Sequence, residues 1–162
     1  MNKLIRYIVF TILLTSIFII NNPKEASAEI VTVKANEAWQ LTGIILKKNH
    51  IITWKVREDD YWSFNTTIFP DGHNAEGIPV PALESYNLPG ENIGKLLGKT
   101  GQDRIMSMGL SGSEDVLYGE EGCYLYLSMN DDLIGKFGVG FKDNYGEILV
   151  MIIQTPMTVV DK

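Results

Sequence analysis

The sequence predicts an all-β protein whose strands form an antiparallel β-sandwich. Helical periodicity is almost absent, and short runs rich in Val, Ile, Thr and aromatic residues recur along the chain. Clusters of Gly, Pro, Asn and Asp separate these runs, a pattern typical of a sandwich or a barrel. Eight strands are expected, at residues 30–34, 41–46, 51–56, 61–68, 95–100, 105–108, 123–129 and 148–154.

Two of these runs carry the clearest patterns. In the run at 123–129, alternation places Leu125, Leu127 and Met129 on one face, the face expected to be buried. The run ILVMII at 148–153 is apolar throughout, which predicts a strand covered on both faces. The connection at 70–92 contains four of the six prolines and is expected to be one long loop.

The first 28 residues are typical of a secretory signal peptide. Lys3 and Arg6 precede an apolar core at 8–20, and Ala26-Ser27-Ala28 supplies a small-x-small cleavage pattern. An apolar stretch of this length is too short to span a bilayer comfortably. We therefore expect a secreted protein with a single domain at residues 29–162.

Charge and cysteine content restrict the classes of partner. Loss of three basic residues and one acidic residue with the signal peptide changes the net charge from −6 to −8. Nucleic acid and anionic membranes attract positive charge, so we expect neither nucleic-acid binding nor membrane insertion. Cys123 is the only cysteine, which excludes an intrachain disulfide, and its strand position predicts a small buried apolar side chain.

Catalytic signatures are weak. His50 and His73 lie in turn-like contexts, and no nucleophile motif such as G-x-S-x-G is present. We therefore expect no enzymatic activity and no catalytic residue. A small hydrolase using two carboxylates is the alternative that the sequence leaves open.

Two turns rich in side-chain oxygens flank the segment between the last two predicted strands. The first is Asn-Asp-Asp at 130–132 and the second is Asp-Asn at 143–144. Tight turns use these residues routinely, but Ca²⁺ also takes carboxylate, amide and main-chain oxygens as ligands. The pattern lacks the spacing of an EF-hand loop, so residue types alone leave both interpretations open.

Five motifs, taken in order, resemble the calcium-dependent galactophilic lectin family of bacteria, the type of the galactose-binding lectin of pseudomonads. They are VKANEAWQLTGIILKKNHIITW, YWSFN, PDGHNAEGIPVP followed by IGKLLGKTG, LYLSMND and KDNYGEILVMI. Together they cover nearly all of residues 31–153. The resemblance implies a β-sandwich of jelly-roll, galactose-binding-like type, with one Ca²⁺ held where the acidic turns meet and coordinated directly by sugar hydroxyls.

The resemblance also assigns candidate residues. It implies Asp131, Asp143 and Asn144 as side-chain ligands of Ca²⁺ and sugar contacts, and Asn65 as a ligand through its main-chain carbonyl. Asn130 is expected to hold its turn. The remaining sugar-contact candidates are His73 and Glu84, in the long connection.

The chain departs from the family pattern in ways that leave the sugar open. The eleven residues DLIGKFGVGFK at 132–142 form a longer connection between the acidic turns than the family has, and they lack the family's threonine. The expected partner is therefore a galactoside or a related glycan, with the identity of the sugar left open. The alternative is a non-catalytic interaction module or toxin subunit with a structural Ca²⁺, presenting Phe137 and Phe141 to a protein. Trp62 is expected in the core rather than as a stacking platform, and a homo-oligomer is left open.

Overall fold

A computed structural model describes residues 28–135 and 139–157 and confirms the all-β sandwich with antiparallel sheets. The expected signal peptide lies outside the described residues, except for Ala28. The strands are β1 Ala28–Lys34, β2 Gln40–Ile45, β3 His50–Val56, β4 Trp62–Ser63, β5 Ile78–Pro81, β6 Asn92–Ile93, β7 Leu96–Thr100, β8 Ile105–Ser107, β9 Ser111–Asp115, β10 Tyr124–Met129 and β11 Tyr145–Pro156. One short 3-10 helix covers Gly140–Asp143, and no described helix is long and apolar enough to cross a membrane.

Two sheets form the layers of the sandwich. The first, sheet A, has the strand order β1-β11-β3-β9, and β4 pairs with the start of β11. The second, sheet B, has the order β2-β10-β7-β8. All pairs are antiparallel, and β5 and β6 form a separate two-stranded ribbon.

The core lies between the two sheets and draws on alternate residues of both. Leu125, Leu127 and Met129 on β10 are fully buried, which confirms the face predicted from the sequence. From sheet A, Trp54 and Ile152 pack into the same cluster. This alternation is what a sheet with one covered face requires.

The apolar run at 148–153 is covered on one face only, which corrects the prediction of two covered faces. Ile148, Val150 and Ile152 are buried, whereas Leu149 and Met151 are exposed to solvent. Within residues 28–135 and 139–157 the chain forms no crossover helix that could cover this outer side of sheet A.

The predicted strand at 61–68 is also wrong beyond its start, since only Trp62–Ser63 is a strand. Asn65 ends it: its side-chain Oδ1 accepts hydrogen bonds from the backbone N–H groups of Thr67 and Ile68 at 3.0 and 3.1 Å. Such an Asx turn competes with sheet pairing and folds the chain back. The region at 70–92, expected to be a single loop, contains β5 and the start of β6. Strand β9 at 111–115 was not predicted, because SGSED lacks strand-forming side chains.

Candidate functional site

The two acidic turns meet at one end of the sandwich. The first follows the buried end of β10, and the second consists of the last residue of the 3-10 helix and the residue that precedes β11. The side-chain Nδ2 of Asn144 donates to Oδ2 of Asp131 at 2.8 Å and to the carbonyl oxygen of Ala35 at 3.0 Å. Asp131 follows β10 of sheet B and Asn144 precedes β11 of sheet A, so the packing of the two sheets brings together residues that are 13 positions apart in sequence.

Asn130 holds the first turn in place, as expected. Its Oδ1 accepts from the backbone N–H of Leu88 at 2.9 Å, and its Nδ2 donates to the carbonyl oxygen of Leu88 at 3.0 Å. This buried exchange ties the loop between β5 and β6 to the end of β10. The side chain is therefore committed to structure.

Gly140 lets the second turn approach the first. Its φ is +59°, and a Cβ built on it would lie 2.7 Å from the carbonyl oxygen of Asp132. Only glycine combines this backbone conformation with so close an approach. The 3-10 helix that begins at this glycine carries Asp143 to the site.

Asn65 joins the same cluster from the loop after β4. Its Nδ2 donates to Oδ2 of Asp143 at 2.9 Å. Its main-chain carbonyl, the group that the resemblance implies as a ligand, accepts from the N–H groups of Ile68 and Phe69 at 3.2 and 2.8 Å. Both lone pairs of that carbonyl are thus engaged within the turn.

The Asn65 loop and parts of both acidic turns line an open cleft of ≈ 160 Å³, whereas Asn144 is not part of this lining. Its polar wall consists of Asn65, Tyr86, Asp131, Asp132 and Asp143. Phe64, Ile68 and Val139 supply an apolar side. Carboxylates beside apolar surface can bind a ligand that has both hydroxyl groups and an apolar face.

The electrostatics of the cleft disfavour further negative charge. Burial raises the pKa of Asp131, and the neighbouring carboxylates of Asp143 and Asp132 raise it further, against the hydrogen bonds from the Asp132 N–H and Asn144. Burial likewise raises the pKa of Tyr86, and the charges of the three aspartates add to the effect. A cation in this cleft would relieve both groups.

The donor set fits Ca²⁺. Asn144 is 6% exposed, its Nδ2 donates to the Asp131 carboxylate, and its buried Oδ1 has no hydrogen-bond partner among the described residues. Buried polar atoms are rarely left unsatisfied, and a bound ion is one accepted explanation. Within residues 28–135 and 139–157, no three His, Cys, Asp or Glu side chains are grouped to hold a metal. The set therefore depends on amide oxygens, which Ca²⁺ accepts.

The structure brings Asn65, Asp131, Asp143 and Asn144 together, but His73 and Glu84 lie apart from the cleft lining. His73 is 7% exposed and packs against Phe64 and Phe69, with ring centroids 5.5 and 6.4 Å away. Glu84 is exposed in the loop between β5 and β6.

Three other expectations concern Trp62, the two phenylalanines of the connection at 132–142 and Cys123. Trp62 is buried in the core, as predicted, and its Nε1 donates to the carbonyl oxygen of Gly94 at 3.0 Å. Phe141 is half-buried and packs against the core, whereas Phe137 lies outside the described residues. Cys123 is half-buried rather than fully buried.

Sequence reasoning missed Asp132 and Tyr86 as cleft residues. Asp132 directly follows Asp131, so its place in the sequence could have indicated that it lies near the same site. Tyr86 reaches the site because its backbone forms a bridge with Asp132, a contact between residues 46 positions apart that no local pattern encodes.

A scan of protein-family models and a search of curated proteins found no match to the chain.

Proposed function

We propose that this protein is a secreted, calcium-dependent carbohydrate-binding protein, a lectin without catalytic activity, with a galactoside or related glycan as ligand. The observation that carries the proposal is the contact between the two acidic turns, in which Asn144 donates to Asp131 while its own buried Oδ1 has no partner among the described residues. The resemblance of the five motifs to galactophilic lectins supports it. The jelly-roll, galactose-binding-like type of sandwich and export by the signal peptide belong to the same proposal.

Asp131, Asp143 and Asn144 would hold Ca²⁺ through side-chain oxygens. Asn65 would contribute its main-chain carbonyl only if that carbonyl gave up a hydrogen bond within its turn. The bound ion supplies open coordination positions that suit two neighbouring hydroxyl groups of a sugar. Asp131 would accept a hydrogen bond from one of these hydroxyls, and charge-assisted bonds of this kind are strong. The apolar side chains of Ile68 and Val139 would face the rest of the ligand.

A second candidate is a non-catalytic interaction module in which Ca²⁺ only staples the turns. The engaged carbonyl of Asn65 favours this alternative, as does the exposed apolar rim of Leu133, Ile134 and Val139 beside the cleft. A protein surface would cover such a rim more completely than a monosaccharide could.

The first experiment is thermal unfolding of residues 29–162 with chelator, with Ca²⁺, and with Ca²⁺ plus galactose. Binding to the native state alone stabilises by about 2.7 kcal/mol at a hundredfold excess over the dissociation constant. We expect a Ca²⁺-dependent rise in Tm and a further rise with sugar. A Ca²⁺ shift followed by silence on a broad glycan array would favour the interaction module, and no Ca²⁺ shift would overturn both candidates.

The variant Asp131→Asn identifies the site. The substitution removes a buried negative charge and replaces one acceptor oxygen with an amide group, which loses one hydrogen bond. In chelator, the free energy of unfolding should therefore stay within about 1 kcal/mol of that of the parent protein. Its Ca²⁺ and glycan responses should be lost. Asp103→Asn is the matched control, because Asp103 is exposed and is not part of the cleft lining. Glycan binding that survives in Asp131→Asn would contradict the proposed mechanism.

A further inference from the structure

Strand β1 is an edge of sheet A, and its hydrogen-bonding pattern can be assigned residue by residue. The N–H of Ala35 donates to the carbonyl oxygen of Gly146 at 2.9 Å, and these two residues continue the β1–β11 register. Hydrogen-bonded pairs alternate in an antiparallel ladder, so Val33 and Val31 also point their backbone groups toward β11. The even-numbered residues of β1 point theirs toward the open edge.

The side chain of Gln40 confirms this direction at one position. Its Oε1 accepts from the N–H of Lys34 at 2.9 Å, and its Nε2 donates to the carbonyl oxygen of Lys34 at 2.8 Å. Gln40 thereby caps the edge at Lys34. Ile30 and Thr32 have no such cap, and their edge-facing N–H and C=O groups have no partner among the described residues.

The other three edges of the sandwich carry devices that discourage pairing. On β9, Glu114 and Asp115 are charged, and Nη2 of Arg104 donates to the carbonyl oxygen of Asp115 at 3.1 Å. Strand β8 has only three residues, and β2 is interrupted where Gly43 has a φ of +82°. Short length, charge and irregularity are the usual protections of an edge strand. β1 has seven residues with a regular register and no charge at 30–33.

The outer face beside this edge is apolar. Ile30 is 71% exposed and lies opposite Met151 in the register, and Met151 and Leu149 are 37% and 42% exposed. Exposed apolar side chains at an unprotected edge mark an association surface. Pairing at the edge would extend this face across two molecules.

We propose that β1 pairs antiparallel with β1 of a second copy of this chain. The open groups are self-complementary: a twofold axis at Val31 sets Ile30 of one copy opposite Thr32 of the other, and the reverse. Both pairs then exchange N–H···O=C hydrogen bonds, which gives four in all. The capped groups of Lys34 exclude the register that would set Ile30 opposite Lys34. The result is a twofold dimer with one sheet continuous through both copies.

The test is the mass of residues 29–162 by sedimentation equilibrium over a wide concentration range, in chelator. Thr32→Pro removes an edge-facing N–H and spares the β1–β11 ladder, since proline is tolerated on the open side of an edge strand. Ser113→Pro is the matched control on β9. On β9, the N–H of Val116 donates to the carbonyl oxygen of His50 at 2.9 Å, so these two residues form a hydrogen-bonded pair that continues the β3–β9 register. By the same alternation, the backbone N–H and C=O groups of Ser113 point toward the open edge of β9.

We expect the parent protein and Ser113→Pro to be dimers, and the mass of Thr32→Pro to fall by half. The amide of Ile30 should exchange slowly with solvent deuterium in the parent and quickly in Thr32→Pro. A parent protein that is monomeric at every concentration, or a dimeric Thr32→Pro, would overturn the proposal. Because the experiment is run in chelator, neither result depends on the cation site.

If Thr32→Pro fails to give the parent far-ultraviolet circular dichroism spectrum, Ile30→Lys replaces it. A lysine at the exposed Ile30 position disrupts the apolar contact and charges the edge, and we again expect a monomer. Thr53→Lys is its control, because Thr53 is exposed on the central strand β3 of the same sheet. A dimeric Ile30→Lys would refute pairing through β1.

Discussion

His73 shows at the scale of one residue how burial changes chemistry. Its ring packs against Phe64, and its Nε2 has no hydrogen-bond partner in the part of the chain that the structure describes. A Cβ added to Gly94 would lie 2.2 Å from its Cε1. Burial lowers the pKa of His73 below its usual value of 6.5. The folded protein therefore favours the neutral ring, and the unfolded chain binds the proton more readily.

This difference predicts a pH dependence of stability. Because the folded pKa is depressed, the contribution of His73 is complete above about pH 6.5 and is lost as the pH falls below it. The free energy of unfolding of His73→Gln should decline less between pH 7 and pH 5 than that of the parent protein, as measured by urea titration. Asn36→Gln, an exposed substitution that changes no titratable group, should retain the parental slope. Parallel slopes for the parent and His73→Gln would contradict the assignment.

At the scale of elements, an ion pair between the partly buried Arg104 and the buried Glu120 joins the β7–β8 turn to the connection between β9 and β10. Nε and Nη2 of Arg104 donate to the carboxylate of Glu120 at 2.6 and 2.9 Å. The same carboxylate accepts from Oγ1 of Thr100 at 3.1 Å and from the N–H of Leu117 at 2.8 Å. The Glu120 side chain is 3% exposed, so its charge depends on these partners.

Arg104→Met should therefore destabilise the fold by about 3 kcal/mol, because it leaves a buried carboxylate uncompensated. Arg57→Met is the control. The Arg57–Asp59 pair has a similar distance of 2.6 Å, but its side chains are 67% and 69% exposed. Exposed pairs contribute about 0–1 kcal/mol. Equal losses for the two variants, in chemical denaturation, would show that the burial of Glu120 is not what matters.

At the scale of the whole molecule, both sheets share one core cluster. Trp54 on sheet A and Leu127 on sheet B belong to it, so neither sheet can lose its partner and keep its buried face. Small domains with one core usually unfold in a single step.

We therefore expect coincident unfolding curves in denaturant from tryptophan fluorescence and far-ultraviolet circular dichroism. The fluorescence reports mainly on the buried Trp54 and Trp62, and the dichroism reports on the strands. Two separated transitions would show that the sheets unfold independently. The midpoint should fall in Thr32→Pro if the dimer contributes to stability, while the two curves remain coincident.

The sequence could predict what depends on neighbouring residues. Alternation along 123–129 identified the buried face of β10, because side chains in a strand point to opposite faces in turn. The Asn and Asp turns were visible for the same local reason. The strand at 61–68 was predicted too long, since the pattern of apolar residues does not reveal that the side chain of Asn65 binds the following backbone.

By itself, the sequence determined the all-β class, the inner face of β10 and the oxygen-rich turns. Only the tertiary structure decided that Tyr86 and Asp132 share a cleft with Asp131, that His73 lies in the interior and that the outer face of β11 is bare. Strand periodicity is local, whereas register, loop packing and edge exposure arise from contacts between residues far apart in the chain. Those contacts also leave the N–H and C=O groups of Ile30 and Thr32 at an open edge.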